Sequence, residues 1–227
     1  MTAAPADRAP RPVLASRPDH APRAILRLVW LHAVSRRLPA ALALLTACAA
    51  ALRGTLYGHW DSYGALQLPL IIEAACAAVI AVTAGSPFGE PERATGRWLP
   101  FLRLGAAVAL TALAAGLLAV AGTGMPLAGG FPDILRNVAG LTGIGLLCAV
   151  LLGGPLAWTG PLTYSLAGVY ALYTDWHPPT LSTPWLWPGR PPHDVGGALC
   201  AALVFGAGLA AITIRGARDA AGGEARA

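Results

Sequence analysis

The sequence predicts an all-α polytopic membrane protein: six transmembrane helices preceded by an amphipathic interfacial helix. Three observations carry this. Apolar stretches recur along the 227 residues at 38–56, 65–84, 100–121, 134–152, 156–173 and 196–215. A helix rises about 1.5 Å per residue, so roughly 20 residues cross a hydrocarbon core about 30 Å thick. The composition is 56% hydrophobic and only 12% charged, more apolar surface than a soluble domain of this size can bury. Segments of alternating polarity, the mark of outer-membrane strands, are absent. In lipid every backbone N–H and C=O must be satisfied within its own segment, which selects helices.

The elements follow in order. Residues 1–22 are rich in Pro, Ala and Arg and lack helical periodicity, which predicts a disordered cytoplasmic tail. In residues 23–37, Ile25, Leu28, Val29, Leu31 and His32 form an apolar stripe, while Arg23, Arg27, Arg36 and Arg37 are placed for lipid headgroups. This predicts a helix lying on the membrane surface and joined to the first span near Pro39. An early start of the first span is the alternative. Ser35-Arg36-Arg37 resembles a twin-arginine signal, and Leu45-Thr46-Ala47-Cys48 resembles a lipoprotein cleavage box. Cleavage at either would remove the first span and invert the arginine bias of everything downstream, so we read an uncleaved signal anchor. The transmembrane domain then covers residues 38–215, and residues 216–227 form a second cytoplasmic tail. Its weakest break is the uncharged Gly153–Pro161 stretch, which fits either a tight turn or a kinked helix.

Arginine orients the bundle. Every basic residue is arginine, and the formal net charge is +5. Arg23, Arg27, Arg36, Arg37, Arg93, Arg97, Arg103, Arg215, Arg218 and Arg226 fall on one side of the six spans, against Arg53, Arg136 and Arg190 on the other. The richer side is expected to be cytoplasmic, which puts both termini inside a cell membrane. These charges flank apolar spans and form no soluble basic face, so the expected partner is membrane lipid and not nucleic acid. Cys48, Cys76, Cys148 and Cys200 all fall inside spans without metal-ligand spacing and read as small buried hydrophobes.

Chemistry-bearing residues are few. Glu73 lies inside the second apolar run, where a lone carboxylate is costly and must face the interior, be protonated or be paired. Arg53 and Arg136 are the basic residues at comparable depth. Glu73 fits a structural polar contact, or a role in substrate passage or conformational switching. On the opposite side from the arginine-rich loops stand His59 with Asp61, Asp175 with His177, and His193 with Asp194. These are ligand types for zinc or copper and could converge above the bundle, but they lie on loops, where polar residues belong in any case. No catalytic nucleophile pair, paired-histidine zinc helix or phosphate-cradling G-x-x-x-x-G-K-[ST] loop is present, so no cofactor is expected and any ATP site belongs to another chain. Small residues recur every fourth position, as Ala107, Thr111, Ala115 and Ala119 and as Ala198, Ala202, Gly206 and Ala210. Such stripes let helices approach closely, either inside the bundle or across a dimer.

Two loops complete the reading. Between spans two and three, Glu90, Glu92, Arg93, Arg97 and Arg103 make the most charged stretch of the membrane region. Pro91 near a first helical turn and Glu92 at the positive end of its dipole predict a short helix over 91–97, with Trp98 as an interfacial anchor. Before span six, residues 174–195 hold six prolines and three tryptophans and cannot form one regular helix. Trp176, Trp185 and Trp187 suit a membrane–water boundary.

This order of elements resembles the permease subunits of type-2 ABC exporters. Glu90-Pro91-Glu92-Arg93-Ala94-Thr95-Gly96-Arg97-Trp98-Leu99-Pro100 resembles that family's coupling-helix segment, in the style of E-R-E-x-G-T followed by hydrophobics and a proline. It departs by inserting Pro91 and by placing Thr95 before Gly96. The resemblance implies that Glu90, Glu92, Arg93 and Arg97 dock on a separate ABC ATPase. It further implies that the permease pairs with itself or with a second permease, and that re-entrant elements precede span six. The expectation is an exporter subunit with no enzymatic site of its own. The alternatives are a membrane-embedded metal-dependent enzyme built on the outer His and Asp residues, and a non-catalytic membrane scaffold.

Overall fold

The computed structural model describes residues 37–58, 62–85, 99–125, 129–173, 183–191 and 193–217. Residues 23–36 of the expected interfacial helix lie outside them, as does the charged loop with Glu90, Glu92, Arg93 and Arg97. The described residues form six helices and no strand: α1 (Leu38–Tyr57), α2 (Ser62–Thr83), α3 (Leu99–Ala121), α4 (Gly130–Leu151), α5 (Thr159–Tyr173) and α6 (Val195–Arg215). Short 3-10 turns at Gly154–Leu156 and Trp187–Gly189 lie before and after α5.

Of the expected six spans, α1, α3, α4 and α6 are long and apolar enough to cross a membrane. The described apolar part of α2 is the shorter Gln67–Thr83. The 15 residues of α5 cover about 22 Å, less than a hydrocarbon core. The uncharged stretch after α4 is a tight turn, not a kink: the helix stops at Leu151, Gly153 takes a φ of 96°, and α5 starts at Thr159.

Successive helices run in opposite directions. At one end, Leu38, Thr83, Ala84 and Arg103 line one small cavity. Gly85 and Gly154 meet backbone to backbone there, and Arg103 packs on Gly216 just beyond α6. The other end gathers Arg53, Thr123, Arg136 and the turn carrying Arg190.

The centre of the bundle is α4, with 61% of its apolar window buried against 22% for α1 and for α6. Its glycines explain how it accepts neighbours on several sides. A Cβ on Gly143 would lie 2.6 Å from the Phe205 backbone, and one on Gly208 would lie 2.6 Å from the Gly143 carbonyl. The α4–α6 seam is therefore a backbone-to-backbone contact, built on Gly143, Ala201, Gly208 and Ile212. Ala198, Ala202, Gly206 and Ala210 face outward on the opposite side of α6. The α3 stripe does the reverse, with Ala107, Thr111 and Ala115 buried. A core of Leu45, Leu52, Cys76, Ile80, Ala114, Leu118 and Val138 joins α1, α2, α3 and α4. Outward faces carry Leu44, Phe101, Val120, Leu199, Leu203 and Ile214, the surface that lipid accepts and water does not.

Candidate functional site: a buried polar chain under a re-entrant turn

Halfway along α2, Glu73 is 4% exposed. Its carboxylate Oε2 accepts a hydrogen bond from Asn137 Nδ2 of α4 at 2.9 Å. Asn137 Oδ1 accepts in turn from Arg136 Nε at 3.3 Å. Arg136 Nη1 donates to the Pro191 carbonyl at 3.3 Å and pairs with Asp133 Oδ1 at 3.3 Å. Arg136 and Asn137 are themselves only 7% and 8% exposed. A carboxyl, an amide and a guanidinium thus form one polarised chain, in which each donor–acceptor dipole strengthens the next at low dielectric. It links the middle of α2 to the turn ahead of α6.

That turn folds back into the bundle. Leu186, Trp187, Pro188, Gly189 and Arg190 are all buried. Three helices make room by leaving out a side chain. A Cβ on Gly140 of α4 would lie 2.6 Å from the Trp187 ring, one on Gly168 of α5 3.1 Å from Pro188, and one on Gly197 of α6 3.2 Å from Trp187. Trp187 stacks on Tyr164 with ring centroids 4.6 Å apart, and the Tyr164 hydroxyl donates to the Trp185 carbonyl. Trp187 therefore sits inside the protein and not at the lipid–water boundary that its composition implied, whereas Trp185 is exposed. The turn is secured by Arg190 Nε on Asp194 Oδ2 at 3.0 Å, with side chains 2% and 5% exposed. The same Asp194 oxygen caps α6, accepting from Gly197 N at 2.7 Å.

Arg53 does not join Glu73. Its guanidinium donates to the carbonyls of Ala121 and Thr123 at 3.0 and 2.7 Å and to the Tyr57 hydroxyl at 3.1 Å. It closes the carboxy-terminal end of α3, where carbonyls lack helical partners and a cation is favourable. Of the outer His and Asp residues, Asp194 is committed to Arg190 and the α6 cap, and His193 is exposed. His59, Asp61, Asp175 and His177 lie outside the described residues. Among the described residues, no group of three or more His, Cys, Asp or Glu is placed to hold a metal ion.

Sequence reasoning set Glu73 beside basic residues and passed over Asn137, the intermediary. The signal was present: Asn137 is the chain's only asparagine and interrupts an apolar run directly after Arg136. Comparison of the chain with protein-family models, with curated proteins and with solved structures finds no match.

Proposed function

We propose that this chain is the membrane-spanning subunit of an ABC-type exporter, moving its substrate with ATP hydrolysed on a separate subunit. The observation that carries the reading is the turn at residues 183–191, folded back among α4, α5 and α6 directly before the last helix. A re-entrant element at that place is what the resemblance to type-2 exporter permeases implies. The six-helix order and the charged segment between α2 and α3 support it. In this reading all six helices traverse the cell membrane, both termini are cytoplasmic, and α5 with the re-entrant turn together fill one span. Two permeases assemble with an ATPase that docks on Glu90, Glu92, Arg93 and Arg97. The metal-enzyme alternative has less to build on, because Asp194 is already spent on a cap and an ion pair.

Co-purification tests it. A cytoplasmic ABC ATPase is expected to come down with the unmodified chain, and Glu92→Arg and Arg93→Glu are expected to weaken that association while the bundle still folds. Charges at the rim of an interface act on association more than on the fold. If no ATPase accompanies the unmodified chain, and activity instead follows a metal added at the outer face, the exporter reading fails.

A further inference from the structure

We propose that Glu73 is a positioning residue that sets the docking of the turn at residues 183–191, acting through Asn137 and Arg136. The inference stands on geometry alone and holds whether or not an ATPase is the partner.

The connection is continuous. The Glu73 carboxylate fixes the Asn137 amide at 2.9 Å, the amide oxygen fixes Arg136 Nε at 3.3 Å, and Arg136 Nη1 holds the Pro191 carbonyl at 3.3 Å. The guanidinium has a competing partner, Asp133, one turn back on its own helix at the same 3.3 Å. While Glu73 holds the amide, Nε is anchored and Nη1 is shared between Asp133 and Pro191. Once the Glu73 side chain no longer accepts from it, the amide loses its fixed end and Arg136 is free to turn wholly onto Asp133. The turn then keeps its Arg190–Asp194 pair and its Tyr164 contact but loses the tie to α4.

The docked turn is also incompletely satisfied. Trp187 Nε1 and Thr183 Oγ1 are buried without a hydrogen-bond partner. A buried donor without a partner is costly, and withdrawing the turn hydrates both groups, offsetting part of the apolar surface re-exposed. The same segment that the polar chain holds is thus the one with a standing reason to leave.

The charged and titratable groups around Glu73 are accounted for helix by helix. From α4 come Arg136 and Asp133. From α1 comes the Cys48 thiol, beside Cys76 of α2 itself. The helix α3 meets α2 through Leu110, Ala114 and Leu118, and α5 offers Tyr164, whose hydroxyl is committed to Trp185. Arg136 is therefore the group through which Glu73 reaches the turn.

Thiol labelling in detergent tests this without reference to membrane orientation. With Cys48, Cys76, Cys148 and Cys200 replaced by Ala, Leu186→Cys reports docking, because Leu186 is 3% exposed. Ile212→Cys, at the opposite end and fully buried, reports general loosening. Glu73→Met and Asn137→Ala are each expected to raise the rate at Leu186→Cys about five-fold with a charged maleimide, the population shift for one net hydrogen bond. Ile212→Cys is expected to stay unchanged. The two substitutions combined add little beyond either alone, since both cut the same chain. Unchanged labelling at Leu186→Cys overturns the proposal, and so does an equal rise at Ile212→Cys. Should Glu73→Met not accumulate as a monodisperse protein, Asn137→Ala alone decides between these outcomes.

Discussion

Arg53, Arg136 and Arg190 stand at the end of the bundle where positive charge is disfavoured by the topology read from the sequence, and each is spent on partners within the chain. Arg53 ends on the carbonyls closing α3, Arg136 on Asp133 and the Pro191 carbonyl, and Arg190 on Asp194. A guanidinium held this way is a staple between elements more than a free cation. Asp194 has two duties, and they separate by substitution. Asparagine caps a helix about as well as aspartate. Asp194→Asn thus removes the ion-pair charge and keeps the cap, whereas Asp194→Ala removes both. Breaking a buried pair by deleting one partner costs about 3–5 kcal/mol in full burial, and a lost cap costs about 1 kcal/mol more. Thermal unfolding of the purified protein is expected to rank the unmodified chain above Asp194→Asn and Asp194→Asn above Asp194→Ala. Equal midpoints for the two variants would assign the whole effect to the pair. At this scale the sequence is only partly legible. The cost of a carboxylate in an apolar run directs attention to Glu73, and charge matching directs it to Arg53 and Arg136. The link is a neutral amide, Asn137, which a search among charges does not find.

The helices pack by leaving side chains out, and here the sequence shows the device without its direction. A four-residue repeat of small residues is visible on α3 and on α6, but period alone does not say which face turns inward. On α3 the repeat is inside, while on α6 it is outside and the seam runs through Ala201 and Gly208. The reason is α4: Gly143 meets the Phe205 backbone so closely that α6 must present its Ala201–Gly208 face. The two faces of α6 therefore differ in tolerance. Gly143→Ala inserts a methyl 2.6 Å from backbone atoms that cannot rotate away, and overpacking of this kind costs about 1–3 kcal/mol. Gly206→Ala meets nothing within 4 Å and is expected to leave stability unchanged or raise it by up to about 1 kcal/mol, because alanine favours the helix over glycine. Unfolding midpoints check both. The outward stripe adds a second readout, because small residues on a lipid-facing helix allow a second copy to approach. Gly206→Leu is expected to leave the fold intact, and mass measurement in detergent reports whether it also shifts an oligomer toward monomer.

For the molecule as a whole, the apolar runs are legible because a span needs only length and apolarity, and both are written in one stretch of chain. The buried turn is not, because the slot that holds Trp187 and Pro188 is assembled from Gly140, Gly168 and Gly197, on three helices far apart in sequence. Composition therefore placed Trp187 at the lipid boundary, although it is 2% exposed inside the bundle. The turn packs alongside α5, with Trp187 on Tyr164, Pro188 against Gly168 and Gly189 against Ala171, while the 15 residues of α5 cover about 22 Å. The proposed topology follows from these parts together. Successive helices alternate in direction, so in the proposed arrangement six crossings return the chain to the side on which it started, and the arginine excess is the reason for proposing that side as cytoplasmic. A cysteine at Ser182, just ahead of the buried turn, is then expected to react with an impermeant maleimide on intact cells. A cysteine at Thr2 is expected to react only after permeabilisation. Labelling of Thr2→Cys in intact cells would remove the six-span arrangement, and a mature chain beginning at Cys48 would remove it by a different route, because α1 would be cut and the direction of every later helix reversed.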